Sequence, residues 1–358
     1  MGFYQSLYRM CNLLPTGILN RIRSLNIGIL PAYLKFRFTG RTPLPVSFVI
    51  GPSTVCNLKC PLCPTGIGLL RQEKGFLSLK MYKKILKQIP SMRRVSLFNW
   101  GESFLNPEIL DIIKFTSENN IFSTIHTNFS FTKDYSFFTR LAESGLNRLS
   151  VSLDGASRDT YSKYRIGGDF DLVYDNLVTL IGAKKETGSK LPRISLQFIV
   201  HHYNESELEK ARKMARDLGI LFSAIPIDLN ESHPDFSLKD TLKDLKKEWL
   251  PANNKFKDKK YLGEKIKPHS DLFCYYLFSQ PVITHDGNVY PCCKLTDENS
   301  AFGNINYEPF EDIWNNESFT AARNLFSKRK NQDQSIDTIC HHCQCGCGEE
   351  NSSTSPGS

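Results

Sequence analysis

No G-x-G-x-x-G pattern follows any strand-like run in this chain, which weighs against a nicotinamide-dependent dehydrogenase of the doubly wound type. No apolar run approaches the length needed to cross a bilayer. The basic segment, apolar core and small-residue cleavage site of a secretory signal are missing too, so a secreted disulfide framework is not expected. Charge of one sign is also scarce: 45 Lys and Arg against 37 Asp and Glu leave a net charge of +8 spread over 358 residues. That is a soluble protein's ordinary balance. It would suit an anionic ligand or a membrane surface, and no nucleic-acid partner is expected from it. At 40% hydrophobic and 11% aromatic the chain is globular in composition, and its length suits one large domain with a smaller one.

Cysteine, by contrast, is abundant. There are 11, and the last seven fall between Cys274 and Cys347 at close, metal-like spacings. Without a secretory signal, ligation of a metal or an iron–sulfur cluster in a reducing, cytoplasmic setting accounts for them better than disulfides do.

From residue 45 a strand–helix rhythm sets in. "SFVIGPS", "RVSLFNW", "FSTIHTN", "RLSVSLDG", "RISLQFIV" and "ILFSAIPI" read as six strands. Between them lie helical patterns. Ser78 is a candidate cap before "LKMYKKILKQI", Asn106 and Pro107 open the next helix, Gly145 closes the third, and Asn204 with Glu207 occupies capping-box positions. Six successive units predict an α/β fold with a parallel sheet, either an open doubly wound sheet or a partial barrel, with ligand chemistry at the carboxyl ends of the strands. The unusual residues fall at those ends: Cys56 after strand one, Gly101 and Glu102 after two, Asn128 after three and Asp154 after four.

Residues 1–44 carry apolar residues dotted with Arg and Lys. They predict a helix packed on the outside of the fold, or a peripheral membrane contact. Residues 229–272 are polar and lysine-rich and predict a solvated linker or helical insert, and residues 351–358 predict a disordered tail.

The loop after strand one reads "CNLKCPLC", placing Cys56, Cys60 and Cys63 in C-x3-C-x2-C spacing. Three thiolates can hold a 4Fe–4S cube at three of its irons and leave the fourth open. The alternative is a zinc ion that borrows a distant fourth ligand. The stretch resembles the signature of the radical SAM superfamily. "NWGES" is similar to that family's Gly-Glu motif after the second strand, "SVSLDGA" to its strand-four segment, and "YRIGGDFD" to the Arg-Gly-Gly stretch that follows, so the resemblance covers residues 45–228. It implies a partial (β/α)6 TIM-like barrel. It also implies that S-adenosylmethionine (SAM) chelates the open iron, and that one electron from a partner such as flavodoxin or ferredoxin cleaves SAM to a 5′-deoxyadenosyl radical. That radical takes a hydrogen atom from a substrate carbon.

By the same resemblance Cys56, Cys60 and Cys63 are the iron ligands. Glu102 accepts from the SAM ammonium, with Gly101 allowing close approach, and Arg165 pairs the SAM carboxylate. Ser152 and Asp154 face the ribose or carboxylate, and Asn128 and Gln197 are further candidates. Leu62 stands where the family usually has an aromatic, so its adenine contact would be apolar.

A second group begins at Cys274. "THDGNVYPCC" predicts a hairpin turning at Asp286-Gly287 that delivers Cys292, and "ICHHC" supplies Cys340 and Cys343. Four thiols make a complete site for iron–sulfur or zinc, with His341 and His342 as alternative ligands. "GNVYPC", "FGNI" and "DIW" resemble the cysteine-rich SPASM/Twitch extension, which implies one auxiliary 4Fe–4S cluster on Cys274, Cys292, Cys340 and Cys343, with Cys345 or Cys347 able to substitute. Adjacent residues of an extended strand point to opposite faces, so Cys293 is expected to face a substrate cavity as a catalytic hydrogen-atom donor. The bland alternative is an inert buried thiol.

SPASM/Twitch enzymes act on ribosomal peptides, protein side chains, or sugars and aminoglycosides. The region before residue 45 is short for a leader-peptide module, and a carbohydrate or other small polar substrate is therefore expected, with epimerisation or two-electron oxidation as outcome. A peptide maturase is the alternative, and a non-catalytic iron–sulfur or zinc module the alternative of another class.

Overall fold

The computed structural model describes residues 29–229, 242–262, 273–327 and 336–343. Cys345, Cys347, most of the basic N-terminal stretch and the 351–358 tail lie outside the described residues. Helix α1 (Ile29–Thr39) precedes the first strand. The six expected units then follow as β1 (Ser47–Ile50), α2 (Leu79–Gln88), β2 (Arg94–Ser96), α3 (Ile109–Glu118), β3 (Phe122–Thr127), α4 (Tyr135–Glu143), β4 (Arg148–Ser152), α5 (Arg158–Tyr164), α6 (Phe170–Glu186), β5 (Arg193–Val200), α7 (Leu208–Asp217) and β6 (Leu221–Pro226). All six strands are parallel, each paired with its neighbours in sequence. The sheet is a partial barrel that does not close.

The alternation of residues along each strand decides what meets the helices. Ile125 of β3, Leu149 and Val151 of β4, and Ile194 and Leu196 of β5 are buried in one core with Tyr82 and Ile85 of α2, Phe138 and Leu141 of α4 and Leu177 of α6. Ser96, Thr124, His126, Ser150, Ser152, Gln197 and Ser223 alternate with these residues and occupy the opposite, inner face.

Caps follow the sequence in part. Ser78 accepts from the Met81 amide at 3.1 Å and caps α2, and Gly145 takes φ of +80° beyond α4. Two expected starts shift. Asn106 is buried and donates to Pro52 and Leu77 carbonyls, so α3 begins only at Ile109. Asn204 and Glu207 form no capping box; Asn204 donates to the Asp154 and Ile199 carbonyls, and Glu207 accepts from Ala156, Ser157 and Thr160. Asn106 still serves the start of α3, its Oδ1 accepting from the Glu108 amide at 2.9 Å, whereas Asn204 ties down another loop instead.

Beyond β6, α8 (Leu242–Trp249) lies within the lysine-rich segment, and this part of it is not a free linker. Trp249, only 3% exposed, packs edge-on against Tyr164, His201 and Tyr203, in one apolar cluster with Leu62, Ile227 and Leu229. Glu205 accepts from the Ala252 and Asn253 amides and fastens the turn that follows.

The C-terminal portion runs α9 (Tyr275–Ser279), β7 (Val282–Ile283), β8 (Asn288–Tyr290), β9 (Gly303–Asn304), α10 (Phe310–Trp314) and α11 (Glu317–Leu325). The hairpin turns at Gly287, whose φ of +91° suits glycine. β7 pairs parallel with β1, so the sheet runs on in the order β6-β5-β4-β3-β2-β1-β7-β8-β9. The extension therefore shares the barrel's sheet rather than standing apart from it. Helix α1 rests on this part: Tyr33 and Phe36 pack edge-on against Phe278. Arg323 is buried beneath, its guanidinium 4.1 Å from the Trp314 ring centroid and donating to the Leu277 and Trp314 carbonyls.

Replacing Trp249 by alanine should lower stability by about 3–5 kcal/mol, the usual loss for a large buried aromatic. It should also make 242–262 the first stretch cut by protease. Denaturant titration and timed proteolysis would check this, and an unchanged cutting order would show that the tryptophan does not anchor the segment.

Candidate active site

The loop after β1 brings Cys56, Cys60 and Cys63 to the carboxyl end of the sheet. Neighbouring loops hold it from several sides. Asn57 donates to the Ser130 carbonyl at 2.6 Å, the Glu102 amide donates to the Val55 carbonyl at 2.8 Å, and the Lys59 amide donates to the Ile166 carbonyl at 2.9 Å. Donors are aimed at the sulfurs themselves. The Leu58 amide lies 3.5 Å and Asn128 Nδ2 3.8 Å from Cys56 Sγ, and Arg165 Nη1 lies 3.6 Å from Cys60 Sγ. Burial pushes the Cys56 thiol up to about 12 and raises that of Cys60. Buried sulfurs ringed by N–H donors suit thiolates whose charge a metal centre neutralises, and the site fits an iron–sulfur cluster on that ground.

Glu102 is 3% exposed and already accepts three bonds, from the Phe104 amide at 3.0 Å, Thr127 Oγ1 at 2.7 Å and the Asn128 amide at 2.7 Å. Burial raises its pKa, opposed by those bonds. Gly101 is needed for a close approach to the protein's own chain: a Cβ there would stand 2.4 Å from the Ser53 carbonyl oxygen. Asn128 is likewise engaged, donating to Asn57 Oδ1 at 3.0 Å and accepting from the Ser130 amide.

Asp154 and Arg165 are paired with each other. Asp154 is fully buried with φ of +45°, and its Oδ2 accepts from Arg165 Nε at 2.6 Å and contacts Nη2. The structure therefore pairs Asp154 with Arg165. Ser152 and Gln197 face each other across β4 and β5 on the inner face. Leu62 is 2% exposed in the cluster with Trp249, so its side chain meets protein where an adenine contact was expected.

In the extension the expected four thiols converge. The Cys292 thiol is pushed well up by burial and then by Cys293, Cys343, Cys340 and Cys274, which places those four within electrostatic reach of it. Cys340 is raised by burial and by Cys274 and Cys343. His341 Nδ1 accepts from the Thr338 amide, and His342 pairs with Asp337.

The expectation for Cys293 does not hold in its geometry. β8 ends at Tyr290 and residues 291–294 form a bend and turn, so two-residue alternation does not apply. Cys293 stays with the other thiols and donates to Tyr276 Oη at 3.2 Å. Among the described residues no three His, Cys, Asp or Glu side chains close around one point as ligands of a single ion do. Thiolates at the corners of a cube stand farther apart, each on its own iron.

Sequence reasoning missed several residues. Asn57 and Trp100 are structural ties, Trp100 Nε1 donating to the Leu295 carbonyl at 2.8 Å and so joining barrel to extension. His126 lies flat on Phe98, ring centroids 4.0 Å apart, and burial lowers its pKa to about 4. Its parity with Phe122 and Thr124 in "FSTIHTN" was the available signal for the inner face.

The family model for the radical SAM superfamily matches residues 50–215, and that for the SPASM iron–sulfur cluster-binding domain matches residues 274–344. The chain belongs to the radical SAM superfamily and carries a SPASM extension. Its cofactors are accordingly SAM with a 4Fe–4S cluster, together with an auxiliary iron–sulfur cluster in the extension. It is 22% identical over 304 residues to a tungsten-containing aldehyde ferredoxin oxidoreductase cofactor-modifying protein of Pyrococcus furiosus, covering 75% of this chain and 80% of that one. It is 23% identical over 293 residues to an S-adenosyl-L-methionine-dependent 2-deoxy-scyllo-inosamine dehydrogenase of Niallia circulans, covering 80% and 88%. Among solved structures, Streptococcus suis SuiB bound to S-adenosylmethionine has the same fold, with a TM-score of 0.59 at 16% identity over 88% of this chain and 72% of that one. No helix among the described residues is long and apolar enough to cross a membrane.

Anaerobic reconstitution should load about eight irons per chain, four in each cluster. A C56A/C60A/C63A triple variant should fall to about four irons. Gly101→Ala should also lose iron from the first site, because the Cβ displaces Ser53 at the start of the cysteine loop. Iron analysis and EPR would check both.

Proposed function

We propose that this radical SAM enzyme acts on a carbohydrate or another small hydroxyl-rich molecule and oxidises it by two electrons. The observation that carries the reading is the inner face of the sheet. Ser96, Thr124, His126, Ser152 and Ser223 point there, and their side chains make no hydrogen bond among the described residues; Ser150 is 3.4 Å from Gln197 Oε1. A cavity wall of hydroxyls, an amide and a neutral imidazole matches a ligand that presents many donors and acceptors in a small volume. An apolar substrate would leave these groups unsatisfied, at about 1–3 kcal/mol each.

When bound, SAM and the first cluster would supply the radical that removes hydrogen from an unactivated carbon. The chain's own residues would do the rest. Cys56, Cys60 and Cys63 hold the cluster, and Glu102 keeps a carboxylate oxygen beside the SAM amine while bracing the β2 and β3 loops. The inner-face groups orient the carbon that reacts. Cys274, Cys292, Cys340 and Cys343 would hold the auxiliary cluster, which when bound would supply the acceptor for the second electron of the oxidation, the hydroxyl proton being lost to solvent. Epimerisation would need a hydrogen-atom donor at the substrate, and Cys293 instead donates to Tyr276 beside the auxiliary thiols, which favours oxidation. The sugar-directed name of the Niallia circulans relative supports the same substrate class.

A peptide substrate is the second reading, supported by the fold shared with SuiB, a structure of which contains a precursor peptide. The reductant is a one-electron donor such as flavodoxin or ferredoxin.

Reconstituted protein with dithionite and SAM should release more 5′-deoxyadenosine in the presence of 2-deoxy-scyllo-inosamine or a sugar than alone, with product two hydrogens lighter and no deuterium gained from deuterated water. Stimulation by peptides alone would sink the reading. With the responding compound, His126→Phe should raise KM about 5–100-fold, the worth of one or two hydrogen bonds, with iron content and SAM affinity unchanged. Cys293→Ala should leave the product the same. Deuterium at an inverted carbon, lost in that variant, would restore the epimerase.

A further inference from the structure

We propose that Arg165 tunes the SAM-binding cluster through the sulfur of Cys60, and that Asp154 is the positioning residue that aims it there. This is a role separate from any contact between Arg165 and the SAM carboxylate.

The geometry divides the guanidinium into two edges. One edge, Nε and Nη2, is taken by Asp154 Oδ2. That leaves Nη1 directed at Cys60 Sγ, 3.6 Å away. The arginine follows α5 directly, its amide donating to the Tyr161 carbonyl at 2.8 Å, so its backbone is fixed. Its side chain is only 14% exposed and that of Asp154 is fully buried, so water screens the pair little.

Asp154 is held more firmly still. Its second oxygen, Oδ1, accepts from the Ile199 amide at 2.6 Å, and its carbonyl accepts from Asn204 Nδ2 at 3.0 Å. It sits at positive φ, a conformation that a non-glycine residue keeps only when its surroundings fix it. Asn204 is the residue that gave up a helix cap for this contact. The same hand that holds Asp154 therefore reaches back to α7 and β5.

The chemistry is that of a cation donating to a metal-bound sulfur. Cys60 becomes a thiolate when it binds iron, and Arg165 cannot lose its proton. A positive donor on a ligating sulfur withdraws electron density and stabilises the reduced, more negative cluster, which raises the reduction potential. Asp154 carries the opposite charge and meets the Nε and Nη2 edge, whereas the sulfur meets Nη1, so the cation is the nearer charge to Cys60.

The test is an EPR-monitored redox titration of reconstituted protein without SAM, reading the cluster whose signal changes when SAM is later added. Arg165→Met should shift that cluster to a more negative midpoint potential, with the auxiliary cluster unmoved. Arg165→Lys, which keeps a cation against Asp154 but loses the fork, should fall between wild type and Arg165→Met. It carries the test if the methionine variant fails to load iron. Asp154→Asn should move the potential in the same negative direction, because the guanidinium loses its aim. An unshifted SAM-free potential in both arginine variants, with SAM affinity reduced, would overturn the proposal and leave only carboxylate binding. An upward shift in Asp154→Asn would overturn the positioning role, showing that the aspartate acts merely as a nearby negative charge.

Discussion

Three sulfurs must carry negative charge in a loop where Cys60 is buried and Cys56 and Cys63 are half-buried, and the carboxyl end of the sheet is organised around that demand. An unpaired buried anion is among the costliest groups a fold can contain. Donors therefore come to the cysteine loop from two other loops, Asn128 after β3 and Arg165 beyond β4, and from the loop's own Leu58 amide. The loop in turn tolerates almost no bulk around it. A Cβ at Gly66 would lie 2.4 Å from the Cys60 carbonyl oxygen, and one at Gly101 equally near the Ser53 carbonyl oxygen. Position, not only ligand identity, is what these residues supply.

The six strands and the three-cysteine spacing were legible because they follow short-range rules. Alternation in "RISLQFIV" separates Ile194, Leu196 and Phe198 from Ser195 and Gln197, and three-cysteine spacing needs only eight residues of context. Partners were less legible wherever one side chain had two uses. Asp154 and Arg165 both read as ligand-facing residues, yet each is the other's partner, because opposite charges buried 11 positions apart in sequence satisfy each other first. Asn204 fitted a capping pattern and served another loop. The side-to-side alternation expected at Cys293 fails for a different reason, since the strand ends at Tyr290. The lysine-rich segment reads by composition as a solvated linker or helical insert, and in its described part, 242–262, the helix and Trp249 give the insert.

The two faces of the sheet separate stability from chemistry. Apolar residues on the helix side form a continuous core, while the inner face is left to small polar groups that contribute little to packing. Such a face is free to vary without disturbing the core, which is how one barrel can serve different substrates. His126 stands out on it, since an imidazole held against Phe98 is both larger and more directional than its serine and threonine neighbours.

The parallel pairing of β1 with β7 has a consequence for how the chain is made. Ser47 and Gln280, which hydrogen-bond beside that pairing, are 233 residues apart. A ribosome adding ~5–20 residues per second needs on the order of ten seconds or more to cover that distance. Throughout that interval β1, every residue of which ends up buried, can join β2 but offers a bare edge on its other side. Such an edge is an invitation to pair with another nascent chain. The extension that holds the auxiliary thiols is thus also what covers the open edge of β1, and a chain released before residue 282 would be expected to need a chaperone before it needed iron.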